Sequence, residues 1–169
     1  KCYAPVGCGV LMVKDVNCLR PMLYGGSQQQ QLRAGTVNAL GLHLFSIGLD
    51  YCYQALPDHI DVHAWAMSLC NDHDFLQLPI ALTPQGSLWN TVPLAIDGHL
   101  AHDAMMRLDM KGVGVSTGSA CSTGAVDVSP SIQALGLASD IARSMIRFSF
   151  GYPTSEQDLM AISDIFSSF

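Results

Sequence analysis

Apolar residues recur along the chain at the three- and four-residue spacing of amphipathic helices. The spacing predicts four helices, over residues 37–55, 61–70, 98–111 and 153–166. We expect Pro57 to end the first and Gly112 to stop the third, because Pro cannot continue a helix and Gly readily closes one. Thr154 and Gln157 have the spacing of a capping box, which predicts the start of the fourth helix.

Shorter apolar runs between these helices predict β-strands. They cover residues 9–13, 88–96, 113–116 and 144–150. We expect Pro93 to break the second strand, because proline has no N–H for a strand ladder. The segment from Arg20 to Thr36, rich in Gly and Gln, predicts a long loop. Together the elements predict an α+β fold in which helices cover an antiparallel sheet.

The composition adds an expectation about the surface. The chain has 169 residues, of which 49% are hydrophobic and 13% are charged. This length is typical of about one domain, and this hydrophobic content excludes an intrinsically disordered protein. The charged fraction is below the roughly 25% of an ordinary globular domain. We therefore expect part of the surface to be covered by a partner or by further chain.

Charge and cysteine usage exclude several classes of function. The net charge is −6 and the basic residues are scattered, which argues against nucleic-acid binding. The chain has neither a transmembrane-length apolar run nor a signal-peptide pattern, so no membrane partner is predicted. The six cysteines include no C-x-x-C pair, which favours reduced thiols and a cytoplasmic location. Because the chain begins at Lys1 without an initiator Met, we expect a fragment of a longer protein.

Two residues have sequence surroundings that favour chemistry. Cys121 lies among Gly, Ser, Ala and Thr residues, which predicts an accessible loop thiol; an inert loop cysteine is the alternative. Arg147 interrupts an apolar strand, where a guanidinium is costly to bury without an anion. It is interpreted either as an anion-binding residue or as an edge-strand arginine that faces water or a structural Asp.

A third candidate precedes the first predicted helix. Arg33, Gly35 and Thr36 would offer a cation, backbone amides and a hydroxyl to an anion; a simple N-cap by Thr36 is the alternative. Other polar residues could suggest a metal site, but they are interpreted as solvated residues near a helix, so no metal is predicted. These residues are His59, Asp61, His63 and the segment 72–74.

Five segments of the chain, in this order, resemble the sequence motifs of the cysteine desulfurases, members of aminotransferase class V. The segments are Lys1-Cys2-Tyr3-Ala4-Pro5-Val6-Gly7-Cys8-Gly9, Gly25-Gly26-Ser27-Gln28 through Thr36-Val37-Asn38, Leu88-Trp89-Asn90-Thr91 with Asp97-Gly98, Val115-Ser116-Thr117-Gly118-Ser119-Ala120-Cys121-Ser122, and Ile146-Arg147-Phe148-Ser149-Phe150-Gly151. The resemblance spans essentially the whole chain. It departs from the family pattern at Val6, Gln29, Gln30 and Arg143.

The resemblance implies residue roles in a pyridoxal-phosphate-dependent enzyme. Lys1 corresponds to the lysine that forms a Schiff base with the cofactor. Thr36 corresponds to the threonine that reaches the cofactor phosphate of the neighbouring subunit in a homodimer. Cys121 corresponds to the nucleophile that accepts sulfur as a persulfide, and Arg147 to the arginine that binds the α-carboxylate of the substrate, L-cysteine. The product is alanine, and the sulfur passes to an acceptor protein such as an iron–sulfur scaffold.

The resemblance also implies a domain organisation. Residues 1–38 correspond to the end of the large cofactor-binding domain of a fold-type I enzyme, residues 39–56 to a connecting helix, and residues 57–169 to the C-terminal small domain. Most cofactor ligands of the family precede the Lys1 position, so the chain alone is expected to be inactive and to bind pyridoxal phosphate weakly or not at all. The alternative function is a truncated, non-catalytic member that self-associates as a binding or sulfur-carrier module.

Overall fold

The structure is a computed structural model that describes residues 2–55, 60–77, 88–117, 130–134 and 136–169. The chain divides into two compact units, residues 1–59 and residues 60–169, which we call the N-terminal and the C-terminal unit. The buried apolar residues of the described chain all lie in the C-terminal unit. An apolar core therefore stabilises the C-terminal unit, whereas the described part of the N-terminal unit has no such core.

The N-terminal unit contains one described α-helix, α1, which runs from Ala39 to Ala55. The Asn38 side chain caps this helix, because its Oδ1 accepts a hydrogen bond from the Gly41 N–H at 3.0 Å. The helix predicted over residues 37–55 is confirmed. The interpretation of Thr36 as its N-cap is wrong, since the side chain that reaches the third helical amide belongs to Asn38.

Residues 9–13 are exposed and form no strand, so the first predicted strand is wrong. A strand is stable only beside a hydrogen-bonding partner. In the described part of the N-terminal unit, the β pairing consists of one isolated bridge between Leu23 and Arg33. The loop predicted from Arg20 to Thr36 is confirmed, and it contains a turn at Gln28–Gln31 with several residues at positive φ.

The C-terminal unit contains an antiparallel sheet, as predicted, of which four strands are described. These strands are β1 (Leu76–Gln77), β2 (Thr91–Ile96), β3 (Ser116–Thr117) and β4 (Met145–Ser149). The first of them, Leu76–Gln77, is not predicted by the sequence. Their order across the sheet is β1-β2-β4-β3, so β2 and β4 are interior strands.

Strand β2 continues through Pro93, contrary to the prediction of a break there. A strand residue points its N–H to one side only, and on the β1 side the described pairing is confined to Ala95 and Ile96. Pro93 therefore gives up no described ladder hydrogen bond on that side, which makes it tolerable within the strand.

Five helices accompany the sheet in the described part of the C-terminal unit. They are α2 (Val62–Asp72), α3 (Ala101–Met110), α4 (Pro130–Gln133), α5 (Ser139–Ser144) and α6 (Glu156–Phe166). The helices predicted from periodicity correspond to α2, α3 and α6, and Gly112, at φ 83°, follows the end of α3 as predicted. The sequence does not predict α5, because six residues are too few to display a helical period. No helix of the described residues is long and apolar enough to cross a membrane.

The core of the C-terminal unit lies between alternate residues of the interior strands and the apolar faces of α2, α3 and α6. The buried strand residues are Val92, Leu94, Ile96, Ile146 and Phe148. The buried helix residues include Ala66, Leu69, Leu108, Leu159 and Phe166. Because successive strand residues point to opposite faces, this core fixes which side of the sheet each remaining residue occupies.

Helix α6 begins with a capping box formed by Ser155 and Asp158. The predicted pair, Thr154 and Gln157, is wrong by one residue. The Thr154 hydroxyl instead accepts a hydrogen bond from the Gly151 N–H at 3.2 Å, which places it in the preceding turn.

The N-terminal unit has no comparable core. Among residues 2–54, Gly41 is the only buried residue. Large apolar side chains of this unit are exposed, including Val6, Met12, Met22 and Tyr24. The low charged fraction of the chain is thus matched by apolar surface that is concentrated in the N-terminal unit.

Candidate active site

The four residues predicted to act in the site differ in how far the structure describes them. Arg147 lies in the C-terminal unit and Thr36 in the N-terminal unit. Cys121 and Lys1 lie outside the described residues. The site is therefore built here from Arg147 and from Thr36 separately, each within its own unit.

Arg147 lies at the centre of strand β4, between two neighbouring strands. Its backbone is opposite Pro93 of β2 and Ser116 of β3. Its chain neighbours Ile146 and Phe148 both belong to the core. The alternation of the strand therefore directs the Arg147 side chain to the opposite face of the sheet, where it is half-buried.

The Arg147 guanidinium makes no hydrogen bond and no ion pair with any residue that the structure describes. This finding and the interior position of β4 exclude an edge-strand arginine, and they exclude a structural Asp within the described ranges. A half-buried guanidinium has five N–H donors in a planar fork that suits a carboxylate. Arg147 is thus a cation available to an anion on the face of the sheet opposite the core.

The segment that contains the predicted nucleophile follows strand β3 in the chain, and Ser116 of β3 is paired with Arg147. Ser116, opposite Arg147, and Thr117 form β3, and residue 118 follows immediately in the chain. Cys121 is five residues after Ser116. The length of the chain alone limits the separation of their two Cα atoms to at most about 18 Å.

Residues just outside β2 and β4 join the start of β2 to the end of β4. Asn90 Nδ2 donates a hydrogen bond to the Phe150 carbonyl at 3.0 Å, and the Phe150 N–H donates to the Asn90 carbonyl at 2.9 Å. Next to them, the rings of Trp89 and Tyr152 lie 5.2 Å apart. Asn90 and Phe150 lie in two of the family-like segments of the sequence, but the sequence did not predict that they contact each other. Their hydrogen bonds join β2 to the strand that carries Arg147.

Thr36 lies two residues before the cap of α1, and its side chain is exposed. Two of the first N–H groups of α1 already have partners. The Ala39 N–H donates to the Val37 carbonyl, and the Gly41 N–H donates to Asn38 Oδ1. Arg33 Nη1 donates to the neighbouring Ala34 carbonyl at 3.1 Å. The helix start therefore offers an anion few free amides, and the remaining donors for a phosphate are the exposed Thr36 hydroxyl and the other N–H groups of exposed Arg33.

The segment that follows Lys1 packs against α1. The Tyr3 ring meets the edge of the Tyr51 ring, with 6.2 Å between the centroids. Farther along, Asn38 Nδ2 donates a hydrogen bond to Cys8 Sγ at 3.6 Å. The chain next to Lys1 is thus attached to the same helix that Thr36 precedes.

The polar residues around α2 have structural roles in the described part of the chain. Asp61 caps α2 by accepting from the His63 and Ala64 amides at 3.1 and 3.0 Å. His63 Nε2 lies 3.0 Å from the Leu88 carbonyl. The interpretation of Asp61 as a residue of the helix start is confirmed. No group of three or more His, Cys, Asp or Glu residues within the described ranges could hold a metal ion.

The sequence profile of the family aminotransferase class-V matches residues 1–162. Curated relatives include the cysteine desulfurase IscS of Dictyoglomus turgidum, which is 28% identical over 98% of this chain and 43% of the relative. The cysteine desulfurase of Frankia sp. is 31% identical over 98% of this chain and 41% of the relative. The chain thus spans about two-fifths of the length of these relatives.

Solved structures share the fold. A NifS-like protein from Rickettsia africae superposes with a TM-score of 0.69 at 21% identity, over 88% of this chain and 39% of that chain. Another structure described as a NifS-like protein gives 0.68 at 23% identity, over 89% and 39%. The similarity covers most of this chain and a minor part of each of these structures.

Proposed function

The chain belongs to the aminotransferase class-V family as a relative of the cysteine desulfurases, and we propose that it is the C-terminal portion of such an enzyme. The proposed reaction removes sulfur from L-cysteine, leaves alanine, and stores the sulfur as a persulfide on Cys121. The observation that carries the proposal is the half-buried Arg147 guanidinium, which has no described partner and lies beside the strand that leads into the Cys121 segment.

Arg147 is proposed to bind the α-carboxylate of the substrate. A guanidinium fixes a carboxylate by two parallel hydrogen bonds, which orients the amino acid as well as binding it. The interior strand supports this role, because β4, which carries Arg147, is paired with β2 on one side and with β3 on the other.

Pyridoxal phosphate, on which the family depends, would supply an electron sink that weakens the bond between carbon and sulfur. Lys1 is the residue proposed to hold the cofactor covalently. The Thr36 hydroxyl is proposed to donate to the phosphate bound by a second copy of the chain in a homodimer. The exposure of Thr36 supports this assignment, since a donor to a neighbouring subunit must reach the surface.

Cys121 is the proposed nucleophile. Its thiolate attacks the sulfur of the bound cysteine, so an S–S bond forms and the C–S bond breaks. The electron pair of the broken bond remains on the substrate carbon, which takes up a proton to give alanine. The persulfide is then available to an acceptor protein, such as a scaffold for iron–sulfur cluster assembly. No described cysteine is in a disulfide, which agrees with the proposed cytoplasmic location.

The proposal is tested with a chimera in which this chain replaces the matching C-terminal portion of the Dictyoglomus turgidum desulfurase. We expect the chimera to form alanine from L-cysteine and to carry a persulfide on Cys121, detected by mass spectrometry. The Cys121→Ser variant should keep the absorbance of bound cofactor and lose the persulfide. A chimera that binds the cofactor but forms neither alanine nor persulfide would contradict the proposal.

A second candidate is a non-catalytic member that self-associates as a binding or sulfur-carrier module. The exposed apolar side chains of the N-terminal unit favour it. Sedimentation of the chain without cofactor separates the two, because a stable dimer that neither binds pyridoxal phosphate nor supports alanine formation in the chimera would favour the second.

A further inference from the structure

Helix α1 contains two glycines, and both lie against the segment that follows Lys1. Gly41 and Gly48 are seven residues apart, which is two helical turns, so they lie on the same side of α1. Glycine is, after proline, the residue that least favours a helix interior. A glycine there is therefore explained most directly by another group that needs the space of the missing side chain.

At Gly48 that group is the backbone next to Lys1. A Cβ at position 48 would collide with the Cys2 carbonyl oxygen and would lie 3.3 Å from the Ala4 backbone nitrogen. Both atoms belong to the main chain, so neither can rotate away as the end of a side chain can. Even the smallest side chain at position 48 would displace the segment from Cys2 to Ala4.

At Gly41 the neighbouring group belongs to the other end of the same segment. A Cβ at position 41 would collide with Cys8 Sγ and also with the Asn38 side chain, which donates to that sulfur. The Tyr3–Tyr51 ring contact lies near the Gly48 end, and the hydrogen bond from Asn38 to Cys8 lies near the Gly41 end. The segment from Cys2 to Cys8 thus runs along α1 from the later glycine to the earlier one.

We infer that Gly48 is a positioning residue for Lys1, an inference that rests on the proposed role of Lys1 in holding the cofactor. The peptide bond joins Lys1 to Cys2, whose carbonyl lies against Gly48. The absence of a side chain at position 48 lets the backbone of Cys2 and Ala4 approach α1 closely, and this approach fixes the residue to which Lys1 is joined.

The Gly48→Ala variant of the full chain tests the contact through the reaction of Cys2 with a thiol reagent. Mass spectrometry of the labelled peptides gives the rate for each cysteine. The rate at Cys2 should rise about tenfold. An Ala side chain that has no room at position 48 shifts the local equilibrium toward a state in which the segment has moved away from α1 and Cys2 is exposed. Exposed Cys18 serves as an internal reference. An unchanged Cys2 rate would overturn the inference.

The matched control is Gly9→Ala, in the same stretch of chain. A Cβ at Gly9 meets nothing within 4 Å, so the Cys2 rate should not change. Cys52, within α1, reports on the helix itself. A rise at Cys52 as large as that at Cys2 would also overturn the inference, because α1 would then have opened as a whole.

The second measurement follows Lys1. The chimera with the Dictyoglomus turgidum desulfurase is incubated with pyridoxal phosphate and reduced with borohydride, and the modification of Lys1 is compared with that of exposed Lys14. The ratio of Lys1 to Lys14 should exceed one in this chimera and fall when the chimera carries Gly48→Ala. A ratio near one in the chimera without the substitution contradicts the proposed role of Lys1 and leaves the Cys2 rate to judge the contact. A high ratio that Gly48→Ala leaves unchanged overturns the positioning role.

Discussion

Arg147 shows how one residue can be placed by the elements on either side of it. The core takes Ile146 and Phe148, so the alternation of β4 leaves Arg147 no place in the core. Its backbone lies opposite Pro93 on one side and Ser116 on the other, while its guanidinium remains without a described partner. A residue that is fixed in position but not engaged in structure is suited to bind a ligand.

Replacement of Arg147 should therefore affect stability and catalysis unequally. Arg147→Met should change the free energy of unfolding of the chain by less than about 0.5 kcal/mol, as measured by urea denaturation, because no described interaction is lost. In the chimera it should lower kcat/KM for L-cysteine about 100-fold, because the substrate carboxylate loses its charged partner.

The control is Ser149→Ala, on the same face of β4 and exposed. It should change neither quantity. A large loss of stability in Arg147→Met would show instead that the guanidinium has a structural partner.

At the scale of the element, the cap of α6 has a consequence for acid stability. The Ser155 N–H and hydroxyl donate to Asp158 Oδ2 at 2.8 and 2.7 Å. These hydrogen bonds, the backbone one first, lower the pKa of Asp158 from its ordinary value of 3.8. A lowered pKa means that ionised Asp158 favours the folded state above the ordinary value, and that this contribution disappears as the pH falls through the lowered value.

We therefore expect Asp158→Asn to flatten the acid limb of the stability curve. Thermal unfolding from pH 7 down to pH 3 should show a smaller fall in Tm than in the original chain. Ser155→Ala should act in the same direction and also lower stability by about 1 kcal/mol at neutral pH. Gln157→Ala, the partner that the sequence predicted, should have no effect; an equal effect would favour the predicted box over the observed one.

Helix periodicity predicted α1, α2, α3 and α6, because each is long enough to display an apolar face. It could not select the cap of α6, since Thr154 with Gln157 and Ser155 with Asp158 have the same spacing. Residues 9–13 have the composition of a strand, but a strand also needs a neighbour, and composition does not supply one. The sequence shows that Arg147 is a charged residue within an apolar strand. It does not show that this strand is an interior strand of the sheet.

At the scale of the molecule, the two units differ in how much apolar core each of them encloses. The C-terminal unit encloses the whole described core, including the edge-on contacts of Trp65 with Phe148 and Phe150 at 5.8 and 5.5 Å. The N-terminal unit, in residues 2–54, buries Gly41 alone. Its apolar side chains are therefore the surface on which the chain would associate.

Residues 60–169 should fold without the N-terminal unit, because every buried apolar side chain of the described ranges lies among them. The excised unit should unfold cooperatively in urea, as followed by tryptophan fluorescence. The full chain should self-associate with rising concentration in sedimentation experiments, while residues 60–169 should remain monomeric. Equal association of both would place the interacting surface in the C-terminal unit.

The pairing of Ser116 with Arg147 also bears on the rate of the proposed sulfur transfer to Cys121. Whatever path the next residues take, the chain cannot carry Cys121 beyond about 18 Å from Ser116. One thiol confined to a sphere of that radius has an effective concentration of tens of millimolar, in the range of a short tether. If Cys121 is the nucleophile, as proposed, the β3–β4 pairing keeps its thiol at this concentration around Arg147, the residue proposed to bind the carboxylate of the substrate.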